Sequence, residues 1–211
     1  MRNIKVVAFD FDDTLVDEKR FLKKKWLIVT QYFSYLHKDL RKVFFKFYDN
    51  DDNKKKILDK VLLILKINSS YKNKIISKFK KLKVDDYQIK GSVKLINYLK
   101  RKNIKVGIMT NGKKYYQLPR IKKLTFYKKL DFIYFGDRHK KPSKEFFLQS
   151  KDFKKINKSS DFLYVGDNYK LDILPALKLK MKAVLVGKKK NKFKNSFQSL
   201  SQLNEYLKNY E

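Results

Sequence analysis

Five short apolar runs alternate with helical patterns along most of this 211-residue chain, and that alternation restricts its possible folds more than any other feature. The runs occupy residues 4–9, 104–109, 132–135, 162–165 and 183–186. They are rich in Val, Ile and Phe and too short for helices, so each reads as a buried strand. Between the later runs, helical spacing covers residues 93–102, 115–123, 144–151 and 172–179. Strands joined through helices call for a doubly wound parallel sheet with right-handed crossovers, an α/β fold of five strands and Rossmann-like character. Glycine placement agrees with this reading. Of six glycines, Gly112, Gly136, Gly166 and Gly187 each follow a run within about three residues, where chain turns are needed.

One stretch breaks the alternation. Residues 17–87 contain no Gly or Pro and show helical spacing, as in Phe21, Trp26, Val29, Phe33 and Leu36, and again in Ile57, Val61, Leu62, Ile64 and Leu65. The expected organisation is therefore an α/β core from residues 1–16 and 88–211, with a helical insert over 17–87. Residues 196–207 read as a final, Ser-capped helix. There is no internal repeat.

Composition decides which chemistry is available. With 43% hydrophobic residues the chain can bury a core despite 35% charged residues. No cysteine is present, which excludes disulfides, thiolate metal sites and a cysteine nucleophile. Two histidines, His37 and His139, are too few for a His-rich dinuclear site, so carboxylates must carry the chemistry. The net charge of +32 points towards polyanions, but it rests on 47 Lys against 6 Arg and is spread along the whole chain. With only 3 Ala against 15 Ile and 14 Asn, the lysine excess reads as compositional bias. Nucleic acid is thus not expected as the main partner, and the positive field could equally steer small anions. No apolar run approaches the roughly 18 residues of a membrane span, and Asp10 interrupts the first run too early for a signal peptide. A soluble cytoplasmic protein is expected, with no membrane partner.

The first run ends in Asp10-Phe11-Asp12-Asp13-Thr14, which places two carboxylates at i and i+2, on one side of an extended backbone. A solvated acidic turn would not require such an apolar lead-in. Two anions this close repel unless a cation joins them, which suggests bound Mg²⁺. The second run ends in Thr110-Asn111-Gly112, where a hydroxyl and backbone N–H groups could hold a phosphate oxygen or simply form a turn. Lys141-Pro142 precedes a helical pattern that would fix the lysine in place. The fourth run ends in Gly166-Asp167, with Asp172 five residues on, and supplies a further metal ligand. In an open parallel sheet, ligands bind beyond the carboxyl ends of the strands, the edge where all these residues fall.

These four segments, in this order, resemble the haloacid dehalogenase (HAD) superfamily over nearly the whole chain. Thr110-Asn111-Gly112, with Gln117 and Ile121 following, resembles the phosphatase branch that carries a helical C1 cap between its first two motifs. The resemblance implies that Asp10 is the nucleophile that forms an aspartyl-phosphate and that Asp12 is the general acid and base. It implies Mg²⁺ held by Asp10, Asp167 and the backbone carbonyl of Asp12, with Asp172 behind them or ligating through water. It also implies Thr110 and Lys141 on the phosphoryl oxygens, with Asn111 beside them. Asp13 stands where many relatives have glycine, a frequent variant. Dehalogenation is disfavoured, since in such enzymes the second carboxylate is replaced and Asp12 is present here.

The expected activity is that of a Mg²⁺-dependent phosphomonoesterase acting on a small metabolite such as a sugar phosphate, phosphoglycolate or a nucleotide. A phosphomutase using the same aspartyl-phosphate is the alternative, as is a basic nucleic-acid-associated protein on a HAD core. Fold alone does not select the substrate.

Overall fold

The computed structural model describes residues 4–50, 56–85, 87–148, 158–187 and 193–209. The chain divides into two compact units, Met1–Glu18 with Asp86–Glu211, and Lys19–Asp85.

The first unit is built on six parallel strands: β1 (Val6–Phe9), β2 (Lys105–Thr110), β3 (Phe132–Phe135), β4 (Phe162–Gly166), β5 (Lys182–Val186) and β6 (Ser196–Phe197), in the order β3-β2-β1-β4-β5-β6. Alternation along each strand divides its side chains between two cores. Val7, Phe9, Val106, Ile108, Leu163, Val165, Val184 and Val186 enter one. Val6, Ala8, Met109, Phe162, Tyr164, Ala183 and Leu185 enter the other. Burial on both faces is why the strands read as unbroken apolar runs rather than alternating ones. Helices α5 (Ser92–Arg101), α6 (Lys114–Ile121) and α9 (Leu200–Asn209) contribute to the first core. Helices α7 (Lys144–Leu148) and α8 (Leu174–Lys178) contribute Phe146, Phe147 and Ala176 to the second. The result is a three-layer α/β fold.

Register sets the functional edge. Phe9 pairs with Ile108 on one side and Val165 on the other, and the Asp10 amide donates to the Val165 carbonyl at 2.8 Å. The carboxyl ends of β2, β1 and β4 are therefore level. Strand order reverses between β1 and β4, the switch point at which open α/β sheets leave a crevice.

The sixth strand replaces the start of the expected final helix. Ser196 and Phe197 pair with Leu185 and Val186, and the helix begins at Leu200 with the Ser199 hydroxyl accepting from the Gln202 amide at 3.2 Å. A serine does cap this helix, three residues later than the sequence suggests. The helical pattern over 144–151 is seen as Lys144–Leu148, and its remainder lies outside the described residues.

The second unit is helical, with α1 (Glu18–Tyr32), α2 (Leu40–Asn50), α3 (Ile57–Ile64) and α4 (Tyr71–Lys81). Its core contains Val29, Phe33, Leu40, Phe44, Ile57, Val61, Leu62 and Ile75, with Trp26 stacked on Phe79 at 4.3 Å. Ile64, expected on the apolar face, is exposed because α3 ends there and the chain turns through Lys66 in a left-handed conformation, φ 53°. The segments leading to and from this unit run side by side. Asp17 donates to the Tyr87 carbonyl at 2.7 Å and Ile89 to the Leu15 carbonyl at 2.9 Å. Among the described residues, no helix is long and apolar enough to cross a membrane.

Candidate active site

Strand β1 delivers Asp10 to the sheet edge and β4 delivers Asp167, while a π-helical turn, Tyr169–Ile173, carries Asp172 back to the same place. Asn168 organises that turn. Its side-chain oxygen accepts from the amides of Lys170 and Leu171, both at 3.1 Å, and its own amide donates to Asp172 Oδ2 at 3.0 Å. Carboxylate oxygens of Asp10, Asp167 and Asp172 all lie within 4.8 Å of one another. Three convergent oxygen donors suit a hard divalent cation such as Mg²⁺. Gly166 makes the approach possible, since a Cβ there would meet Asp172 Cγ and Oδ2 at 2.5 Å. Gly166→Ala is expected to displace Asp172 and weaken Mg²⁺ binding roughly tenfold or more. The check is the rise in unfolding temperature on titration with MgCl₂.

Lys141 is the buried countercharge. Its Nζ lies 2.6 Å from Asp10 Oδ1 and 2.7 Å from Asp172 Oδ1. Asn111 fixes the lysine from behind, accepting the Lys141 amide at Oδ1 (2.6 Å) and donating through Nδ2 to its carbonyl (3.2 Å). The Asn111 side chain is thus committed to the backbone of Lys141. Thr110, 1% exposed, accepts at Oγ1 from the Gly112 amide at 3.2 Å and from Gln117 Nε2 at 3.3 Å. With both lone pairs engaged, its O–H proton is left to donate.

The charges here are strained by burial. Desolvation raises Asp10 to about 7 although the Lys141 ammonium opposes the shift, and the Asp172 charge adds to it. Asp167 rises to about 6, again chiefly from burial, with Asp172 and Asp13 contributing. Burial would lower Lys141, but the adjoining Asp10 and the other acidic groups around it override this and hold it well above its usual value. Glu18 is pushed up to about 8 by burial and by the Asp12 charge, against Arg120. Carboxyl groups held this far above their ordinary range form a site that gains from a cation.

Asp12 points to a second set of partners. Gln117 Nε2 donates to its Oδ2 at 2.5 Å, and Arg120 Nη1 forms an ion pair with its Oδ1 at 2.9 Å. The sequence pattern flagged Gln117 only as a family mark and missed Arg120, Glu18 and Asn168. Arg120 had one available signal, being one of only 6 arginines in a chain that uses Lys 47 times. Neither histidine joins the site: His139 is exposed, and His37 Nδ1 accepts from the Asp39 amide at 3.1 Å in the helical unit.

A family model described as haloacid dehalogenase-like hydrolase matches residues 7–186. Among curated proteins no sequence matches the chain significantly. Solved structures share its fold at low identity. A HAD phosphatase from Thermococcus onnurineus superposes with a TM-score of 0.61 at 19% identity, covering 97% of this chain and 98% of its own. The magnesium-bound YfnB of Bacillus subtilis gives 0.64 at 16% identity, with 98% and 100% covered. A 2-haloacid dehalogenase from Pseudomonas syringae gives 0.61 at 20% identity, with 99% and 100% covered.

Proposed function

The chain belongs to the haloacid dehalogenase-like hydrolase family, and on that premise we propose that it is a Mg²⁺-dependent phosphomonoesterase of small phosphorylated metabolites, acting in the cytoplasm through an aspartyl-phosphate on Asp10. The observation that carries this reading is the buried Asp10–Lys141–Asp172 cluster at the switch point, with Asp167 beside it and a second carboxylate, Asp12, two residues after Asp10. Among these neighbours, phosphatase and dehalogenase share the fold, so the fold does not choose between them. Asp12 favours the phosphatase, because an alkoxide leaving group needs a proton and a halide does not.

In this mechanism a carboxylate oxygen of Asp10 attacks phosphorus, and the bond from phosphorus to the ester oxygen breaks. Asp12 gives its proton to the departing alkoxide, then takes one from the water that attacks the same phosphorus. The bond from phosphorus to the Asp10 oxygen then breaks, inorganic phosphate leaves, and both carboxyl groups return to their starting state. Lys141 and the Thr110 hydroxyl bind the phosphoryl oxygens, while Asn111 supports this grip by holding the lysine backbone. Asp10, Asp167 and the Asp12 carbonyl would hold Mg²⁺, with Asp172 behind them, its oxygens bonded to Lys141 Nζ and the Asn168 amide. A bound divalent cation would offset the carboxylate charge and allow a phosphate dianion to approach. The helical insert is read as a C1 cap, which fits a small substrate rather than a polymer.

The test is phosphate release across nucleotides, sugar phosphates, phosphoglycolate and a 3′-phosphorylated oligonucleotide, with and without Mg²⁺. Turnover of one small class that disappears with EDTA is expected. An isomerised sugar phosphate without free phosphate would mark a mutase, and preference for the oligonucleotide would restore the nucleic-acid reading; either result overturns the proposal.

A further inference from the structure

We infer that Gln117 and Arg120 form a clamp that sets the position of the Asp12 carboxylate, which makes both of them positioning residues for its proton transfers. The inference rests on the phosphatase reading, in which Asp12 is the acid and base.

The two side chains project from α6 at i and i+3, one above the other on a single helix face. Arg120 is the only buried arginine among the described residues. Its guanidinium lies over the Phe11 ring at 4.9 Å and the Tyr116 ring at 5.5 Å. From there Nη1 reaches both Gln117 Oε1 at 2.8 Å and Asp12 Oδ1 at 2.9 Å. That contact settles the orientation of the glutamine amide. A guanidinium can only donate, so Oε1 must face Arg120, and Nε2 is turned towards Asp12 Oδ2 at 2.5 Å and Thr110 Oγ1 at 3.3 Å. Asp12 is thereby held from both sides, its Oδ1 beside the Arg120 charge and its Oδ2 accepting a hydrogen bond from the Gln117 amide. The same amide also ties Asp12 to Thr110, which the mechanism places on the phosphoryl group.

Two further features show that this arrangement is built. A Cβ at Gly112 would lie 2.3 Å from Gln117 Cγ, so the glycine leaves the space that the glutamine occupies. Burying the Arg120 guanidinium beside a half-buried Asp12 also costs desolvation that well-packed apolar groups would avoid, so the pair does not explain itself as packing. Lysine could not replace the arginine here, since its ammonium is a point charge with no planar face to lie over Phe11 and Tyr116.

The experiment uses Arg120→Met and Gln117→Leu, each retaining much of the side-chain bulk, and compares an alkyl monoester with p-nitrophenyl phosphate, whose leaving group needs no proton. Thermal unfolding confirms that each variant is folded. Either substitution is expected to lower kcat for the alkyl ester about tenfold or more, with KM changed less than about twofold and phosphoryl transfer from the aryl ester much less affected. In an Asp12→Asn background, neither substitution should lower the alkyl rate further. Equal losses with both leaving groups in the single-turnover release of alcohol or nitrophenol, which precedes the shared hydrolysis of the aspartyl-phosphate, or losses that persist in that background, would overturn the clamp while leaving the phosphatase reading intact. A wild-type protein that hydrolyses neither ester nor any of the metabolites above would overturn both.

Discussion

Asp10→Asn is expected to abolish phosphate release, by about a thousandfold or more, while leaving the metal-free protein at least as stable as the wild type at pH 8. Activity falls because an amide cannot serve as the attacking oxygen nucleophile, and groups that act as a unit fail together. The stability result follows from the electrostatics. Asp10 is buried at 8% exposure, and its carboxyl is raised to about 7 even with the Lys141 ammonium 2.6 Å away. At pH 8 the ionised carboxylate is therefore a net cost to the metal-free fold, because desolvation and the Asp172 charge outweigh the lysine. Asparagine removes that charge and leaves Lys141 paired with Asp172 at 2.7 Å. Thermal unfolding with EDTA, run beside the phosphate assay, checks both halves. A variant that retained activity would remove Asp10 from the chemistry.

Lys141→Met should be the most damaging substitution for stability and activity together. The ammonium is 3% exposed and lies between Asp10 and Asp172, so its removal leaves two buried carboxyl groups facing each other. Breaking a buried pair in this way costs about 3–5 kcal/mol. The pH dependence has a definite sign. A carboxyl whose folded pKa is raised costs no stability below its unfolded value and lowers stability as pH rises towards the folded value. In the metal-free wild type this loss runs from about pH 4 to about 7 for Asp10 and to about 6 for Asp167. Without the lysine the window for Asp10 should extend above pH 7. The unfolding temperature of Lys141→Met is therefore expected to fall more steeply than that of the wild type between pH 5 and 8. A melting curve as stable as the wild type at pH 8 would contradict the assigned role of the lysine.

The sheet was legible in the sequence for a physical reason. Strands covered on both faces must be continuously apolar, and the polar residues that end them fall on one edge. The positions of Asp10, Asp167 and Thr110 followed from that alone. Strand β6 was not legible, because two residues cannot show a period, and Ser196 carries the same capping signal as Ser199. The bonds from Asn111 to the backbone of Lys141 span 30 residues and depend on how the loops after β2 and β3 meet, which no local pattern encodes. Gln117 and Arg120 lie within a recognisable helix, but the face they present towards Asp12 is set by the packing of α6 against the sheet. The exposure of Ile64 has the same origin. Helical spacing identified an apolar stripe, but the end of α3 decided where it stopped being buried.

The most direct measurement is identification of the phosphorylated residue. Protein mixed with p-nitrophenyl phosphate and Mg²⁺ would be quenched during turnover, treated with borohydride to reduce any acyl phosphate, and digested for mass spectrometry. The expected result is that the reduced residue is Asp10, that its labelling requires Mg²⁺, and that it is absent from Asp10→Asn. Phosphate release with Asp10 unmodified, or with the phosphoryl group trapped on another residue, would contradict it.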